Sequence, residues 1–363
     1  MKITETRGVE IEVLSPVHIG TGVELEHDLD YVWHDGRIYV VNPDRYFSEN
    51  LSSAEPKFQG FTKLLKPHEY ARYERYSVVA NERPIKLRPT VRSADGTVYI
   101  PGSTLKGAVR TAILGAMVKE QGGLDARDIG DRPASAAREI ERRFFGRDPH
   151  HDLLRALRIS DASLSAEGRV EAARVVMYTL QGKRLVPKGP NYEWVAEVIL
   201  AGTRFQGTLT LDQHLLTGVG DMLPRYGPVS DLVRDFKGKR EWVEGRLLDA
   251  CNDNAHYLAT REASFFQAYG PSELIDFYQV LLRQMEDARS NPSSTLLSVA
   301  WGTGWQAKTL SGVLEGDPDL LYKIRGEFRM GRQNLPFPKT RRLVFRKEKP
   351  TLLPLGWMKI TMT

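Results

Sequence analysis

YIPGSTLKGAVRTAI, residues 99–113, decides the fold: a β-rich run passes through a Pro-Gly turn into a helix. Pro101 and Gly102 supply the turn, and Ser103 stands where an N-cap is preferred. From Leu105 the apolar residues recur at Ala108, Val109, Ala112, Ile113, Ala116 and Met117, the spacing of an amphipathic helix. Lys106 and Arg110 lie one turn apart, beside that stripe. A capping box would put Glu or Gln where Lys106 stands. A cation in the first turn faces the positive end of the macrodipole, at a cost of ~0.3–1 kcal/mol. An anion held by the free N–H groups together with Lys106 offsets that cost. The P-loop pattern is absent, so ATP is a poor candidate for that anion. A solvated Lys and Arg on an ordinary helix is the plainer reading.

Outward from this stretch, the composition is that of a globular protein, 41% hydrophobic and 27% charged over 363 residues. That length allows two domains. The lone Cys251 excludes an internal disulfide and a cysteine-based metal site. No apolar run reaches a membrane span, and MKITETRGVE lacks a signal-peptide core, so a cytoplasmic protein is expected. Net charge is only +5, but residues 323–349 hold ten Lys or Arg against two Glu. Such asymmetry points to a polyanion-facing surface, most often nucleic acid, with a solvated basic tail as the alternative. Leu335, Phe337, Leu343 and Phe345 among those charges argue against disorder.

GVEIEVLSPV alternates as a half-buried strand, and DYVWHDGRIYVV is a hairpin turning at Asp35-Gly36. Residues 49–90 carry no strand pattern and read as a helical or irregular insertion. Ala136–Gly146 is a helix closed by Gly146. From 174 to 200, RVVMYTL and EWVAEVIL flank the tip QGKRLVPKGPN, a protruding basic hairpin carrying Lys183, Arg184 and Lys188. The Gly- and charge-rich stretch 215–255 is the expected boundary between domains 1–215 and 216–363. The late run STLLSVAWGTGWQAKTLSGVL repeats the strand, Gly turn, basic pair and helix of the opening stretch. Alternating strands and helices with hairpins predict an α+β fold with antiparallel sheets, each half able to form a ferredoxin-like β-α-β-β-α-β unit.

Few residues suit catalysis. His18, in SPVHIGTG, is a candidate base for RNA cleavage through the 2′-OH, or a turn cap. Asp28 and Asp30 are candidate metal or acid–base groups. His150, His151 and Asp152 form DPHHD, read as a surface loop because no further ligands match. Tyr70, Tyr73 and Tyr76, spaced i, i+3, i+6 among Arg72 and Arg75, suit either base stacking or packing on their own domain. No cofactor or metal is expected.

LSPVHIGTG, YIPGSTLKGAVRTAI, AWGTGWQAKT, FPKTRRL and PLGWMKI, in this order and spacing, resemble the RAMP superfamily of type III CRISPR–Cas effector complexes. Within it the chain looks most like the filament-capping subunits of the type III-A (Csm) complexes. The resemblance implies two RRM-like (ferredoxin-like) domains, a β-hairpin thumb at about 174–200, and guide (CRISPR) RNA bound through its backbone. It also implies as partners the backbone RAMP subunit, the small helical subunit and a recruited trimming nuclease. Carried onto this chain, the RNA contacts fall on Gly102, Ser103, Lys106 and Arg110, on Gly302, Gly304, Lys308 and Thr309, and on Lys339, Arg341 and Arg342. Neither Asp28 nor Asp30 has the Gly-Gly-Ile-Asp-Asn-Pro context of the cleaving backbone subunit. Three readings stand: a non-enzymatic guide-RNA holder, a metal-independent endoribonuclease using His18, and a purely structural cap.

Overall fold

A computed structural model of the chain describes residues 2–50, 61–166, 168–221, 229–333, 336–346 and 351–363. Thr4–Val13 buries Val9, Ile11 and Val13 and exposes Glu10, as its alternation requires. It pairs antiparallel with Arg204–Asp212 on one edge and with Trp357–Met362 on the other. The first sheet runs Ser294–Ser298, Trp357–Met362, Thr4–Val13, Arg204–Asp212, Ala162–Leu164 and Tyr99–Ile100, with Leu157–Ile159 also on Arg204–Asp212. Its main core takes Leu105, Val109, Ile113 and Met117 from the helix Gly102–Glu120, with Phe205, Cys251 and Met358.

The second sheet runs Thr351–Pro354, Thr340–Arg346, Val170–Gln181, Glu74–Val79, Arg37–Val41 and Tyr31–His34. Arg184–Pro187 and Glu193–Ile199 both pair with Val170–Gln181. The hairpin at Asp35-Gly36 forms as expected, with positive φ at both turn residues. The fold is α+β, with mostly antiparallel sheets. No helix among the described residues is long and apolar enough to cross a membrane.

Several sequence expectations give way to tertiary pairing. Both sheets draw strands from each side of residue 215, so the division at 215/216 is not a division between sheets. The supposed boundary region folds into Gln213–Thr217, Ser230–Phe236 and Glu241–Glu244, whose Leu216, Phe236 and Trp242 enter the main core. Gly218 and Gly245 cap the ends of two of those helices. Within 49–90, Glu74–Val79 is a strand; residues 51–60 lie outside those described, as does Leu335. The tyrosine run is split: the short helix ends at Tyr73, and Tyr76 belongs to the strand. Between 174 and 200, the long strand is flanked by Thr340–Arg346 from Arg174 to Thr179. Only the tip around Gln181–Arg184 lies past that pairing.

Glu197 has no exposed side chain, and its carboxylate is fully engaged. Oε1 accepts the Tyr76 hydroxyl at 2.8 Å, while Oε2 accepts Thr90 N–H at 3.2 Å and Arg92 Nη2 at 3.0 Å. Arg92→Ala leaves this carboxylate buried without its countercharge and is expected to cost ~3–5 kcal/mol in urea unfolding. An unchanged midpoint would contradict that account.

Candidate nucleic-acid interface

The start of the Gly102 helix is more occupied than its sequence implies. Pro101, with φ −60° and ψ 132°, is the N-cap residue in place of Ser103, which sits exposed in the first turn without a capping bond. The anion at this end is internal: Gly102 N–H donates to Asp161 Oδ1 at 2.8 Å. A Cβ on Gly102 would come within 2.1 Å of Ile159 O, so its glycine is required by close backbone packing. Lys106 Nζ donates to Leu157 O at 2.8 Å. Partial burial lowers its pKa, Asp152 opposes the shift and Arg110 adds to it. Arg110 is held at 2.8 Å by both Asp152 and Glu141 and lies over the Phe145 ring.

Lys106 and Arg110 nevertheless face solvent space. With Arg138, Arg142, Arg147 and Arg155 they line an open cleft of about 750 Å³, six cations against Glu141, Asp148 and Asp152. Those four arginines were missed in the sequence. Their signal is the density of arginine between 138 and 155.

On the far side of Arg110 lies a second, mainly apolar groove of about 400 Å³ that also reaches Trp305, Lys308 and Thr309. The middle and late sequence motifs therefore meet in space. Gly302 and Gly304 adopt φ +95° and +87°. A Cβ on Gly302 would press on Leu355 at 2.4 Å, whereas nothing lies within 4 Å of one on Gly304. Thr309 Oγ1 donates to Trp305 O at 2.9 Å. Lys308 is exposed, yet its pKa is lowered, by partial burial first and by the Arg342 charge second. Among the described residues neither Lys308 nor Arg342 has a carboxylate partner. Lys106 and Arg110, Arg110 and Lys308 across the groove, and Lys308 and Arg342 thus follow one another as a series of cations.

Arg341 departs from its expected RNA contact. Its guanidinium meets both oxygens of Glu262 at 2.6 and 2.7 Å, donates to Pro338 O, and lies 3.9 Å over Phe265, with 9% of the residue exposed. It is a strut between strand and helix. Lys339 is half-buried and accepts Leu180 N–H through its backbone oxygen. Lys183, Arg184 and Lys188 are exposed, with Lys188 Nζ 3.7 Å from the Tyr192 ring centre.

A model of the RAMP superfamily matches residues 10–305. The chain belongs to the RAMP superfamily. It is 24% identical to the CRISPR system Cms protein Csm5 of Methanocaldococcus jannaschii, over 98% of this chain and 89% of that protein. The protein of that name from Streptococcus thermophilus is also 24% identical, over 55% of this chain and 63% of its own length. Among solved structures, a chain of a Csm–crRNA–target RNA ternary complex of a type III-A CRISPR–Cas system superposes with TM-score 0.65 at 21% identity, covering 98% of this chain and all of that one. The crystal structure of T. onnurineus Csm5 superposes with TM-score 0.54 at 20% identity, covering 96% and 99%.

The remaining candidates in this RAMP protein have structural employment. His18 is 3% exposed, its Nδ1 lies 2.8 Å from Glu197 O, and its ring meets Trp301 edge-on. That burial counts against the alternative of His18 as a general base. Asp28 pairs with His27 and Lys63, and Asp30 accepts Glu26 N–H in the same turn. In DPHHD, Asp148 accepts the N–H groups of His150 and His151, and Asp152 caps Leu154. Tyr73 is buried, and Tyr70 packs on Tyr39 and His34. No group of three or more metal-binding side chains occurs among the described residues.

Two outcomes follow from these placements. Gly102→Ala must displace backbone and is expected to cost ~1–3 kcal/mol in thermal unfolding without any RNA present. Burial lowers the pKa of His18, against the pull of the Glu197 carbonyl and with the help of Arg88. The unfolded chain therefore binds the extra proton first, and stability falls as pH drops below about 6.5. His18→Gln should flatten that part of the curve of unfolding midpoint against pH.

Proposed function

We propose that this chain is a non-catalytic subunit of a type III-A Csm effector that holds the 3′ part of the guide RNA and caps the backbone filament. The observation carrying this reading is the series Lys106, Arg110, Lys308 and Arg342, which ends in two cations without carboxylate partners among the described residues. Its support is the likeness, over nearly the whole chain, to proteins named Csm5 and to a chain of a Csm–crRNA–target RNA complex. Phosphate contacts of this kind are blind to sequence, as a holder of variable guides requires.

In this reading the first sheet is a ferredoxin-like unit whose last strand, Trp357–Met362, is drawn from the C-terminal end. The hairpin at about 174–200, with Lys183 and Arg184 at its tip and Lys188 beside Met177, is the thumb. Gly304, Thr309 and Lys339 border the RNA path, whereas Gly102 and Arg341 shape its walls and Ser103 sits at its edge. The backbone RAMP subunit, the small helical subunit and a trimming nuclease are the proposed partners, in the cytoplasm. The endoribonuclease reading is disfavoured by the burial of His18.

The test is binding of labelled single-stranded RNA over a salt series, with the same samples run on a denaturing gel. Intact RNA is expected. Lys308→Ala and Arg184→Ala should each weaken binding and reduce the steepness of the salt dependence by ~0.7. Cut RNA would revive the nuclease; RNA affinity untouched by every such variant, with assembly weakened, would favour a purely structural cap.

A further inference from the structure

At the end of the cation series, two guanidinium groups share two indoles. The Arg88 carbon lies 5.2 Å from the Trp194 ring centre and 5.3 Å from that of Trp301. The corresponding distances for Arg342 are 5.4 and 5.2 Å. The indoles stand edge to face, 5.6 Å apart at 89°. Trp194 is opposite Val175, and Arg342 is opposite Met177, two residues further along the same strand, so both project on one face. The backbone N–H of Trp301 donates to His18 O, and Arg88 is fixed through its backbone to Val195 and Glu197.

This arrangement orients cations without using their donors. Ring faces attract guanidinium groups while leaving the N–H fork unspent. Arg88 gives part of its fork to Glu24 Oε1, at 2.8 and 2.9 Å, and that carboxylate also faces Lys86. Arg342 has no acceptor among the described residues, and its Nε is buried without a partner. Burial, and then the charge of Arg88, lower the pKa of Arg342. Arg342 thus feels the charges of both Arg88 and Lys308, and among the described residues the carboxylate paired with this group is Glu24, on Arg88. Like charges held this way are relieved by a shared anion, and a phosphodiester, with two outward oxygens, matches the planar forks.

We propose that Arg88 and Arg342, aimed by Trp194 and Trp301, seat one backbone phosphate of single-stranded RNA, with Glu24 competing for Arg88. This rests on the RNA-binding reading and adds to it the Arg88–tryptophan platform and a built-in competitor. The experiment uses the full chain and an unstructured 12-nucleotide RNA, with inorganic phosphate as a second probe. Arg342→Gln should weaken RNA binding about tenfold at 0.1 M salt and lower the salt slope by ~0.7. Glu24→Gln should tighten binding, a gain that a folding defect cannot imitate. Arg342→Lys should keep the slope while losing affinity. If the native chain binds RNA and both Arg342→Gln and Glu24→Gln leave affinity and slope unchanged, the seat is wrong and the RNA reading stands. A thermal shift with inorganic phosphate that Arg342→Gln abolishes, without effect on RNA, would make it a free-anion site and overturn the proposal. Failure of the native protein to bind RNA, alone and in its assembled complex, would overturn both readings.

Discussion

Glu197 is the carboxylate on which the loops of the interface hang. Burying a lone charge costs several kcal/mol, and the fold meets that cost with Tyr76, Thr90 N–H and Arg92. The compensation draws two separated segments, one with Tyr76 and one with Thr90 and Arg92, onto one strand. Backbone atoms of the same residue then extend the effect, because Glu197 O faces His18 Nδ1 and Glu197 N–H donates to Arg88 O. His18 in turn supports Trp301 through its carbonyl and its ring. The phenol of Tyr76 is held well above the ordinary tyrosine range, by burial first and by the Glu197 charge next, so it remains a donor at any physiological pH.

Which cations face a ligand is decided by the carboxylates near them. Arg341 and Arg342 are adjacent, and the two-residue period of a strand sends them to opposite faces. One face offers Glu262 and Phe265, and Arg341 is closed there in a bidentate pair. The other offers two indoles and, among the described residues, no carboxylate to Arg342. The sequence TRRL contains both outcomes and does not say which arginine takes which.

Local patterns were legible, and pairing across the chain was not. The stripe from Leu105 to Met117 reads directly as the buried face of its helix, and Asp35-Gly36 reads as its turn, because both are set by neighbours in sequence. Ser103 misled because capping depends on where the chain enters the helix, and Asp161, from a distant turn, already supplies the acceptor. The tyrosines at 70, 73 and 76 imitate a helical period across a junction where helix gives way to strand. The sharing of both sheets between the two halves was invisible, since Thr4–Val13 and Trp357–Met362 pair across almost the entire chain. At the interface, the motif lysines and arginines were legible as charge; their partners, which decide their availability, were not.

The two ends of the proposed RNA path differ in what an arriving phosphate must displace. At the wide cleft Arg110 is already bonded to Asp152 and Glu141, and Lys106 to a carbonyl, so a ligand there competes with contacts at 2.8 Å. The cleft then acts chiefly through its excess of positive charge, which draws a polyanion in without committing it to one geometry. Beyond Arg110 the apolar groove reaches Trp305 and Lys308, and the series ends at Arg342, which has no carboxylate partner among the described residues, while its neighbour Arg88 is held by Glu24. Under the proposed function, a strand would be gathered by the field of the cleft and fixed at the late loop. That division suits a guide whose bases vary, because neither end needs to read a base edge to hold its backbone.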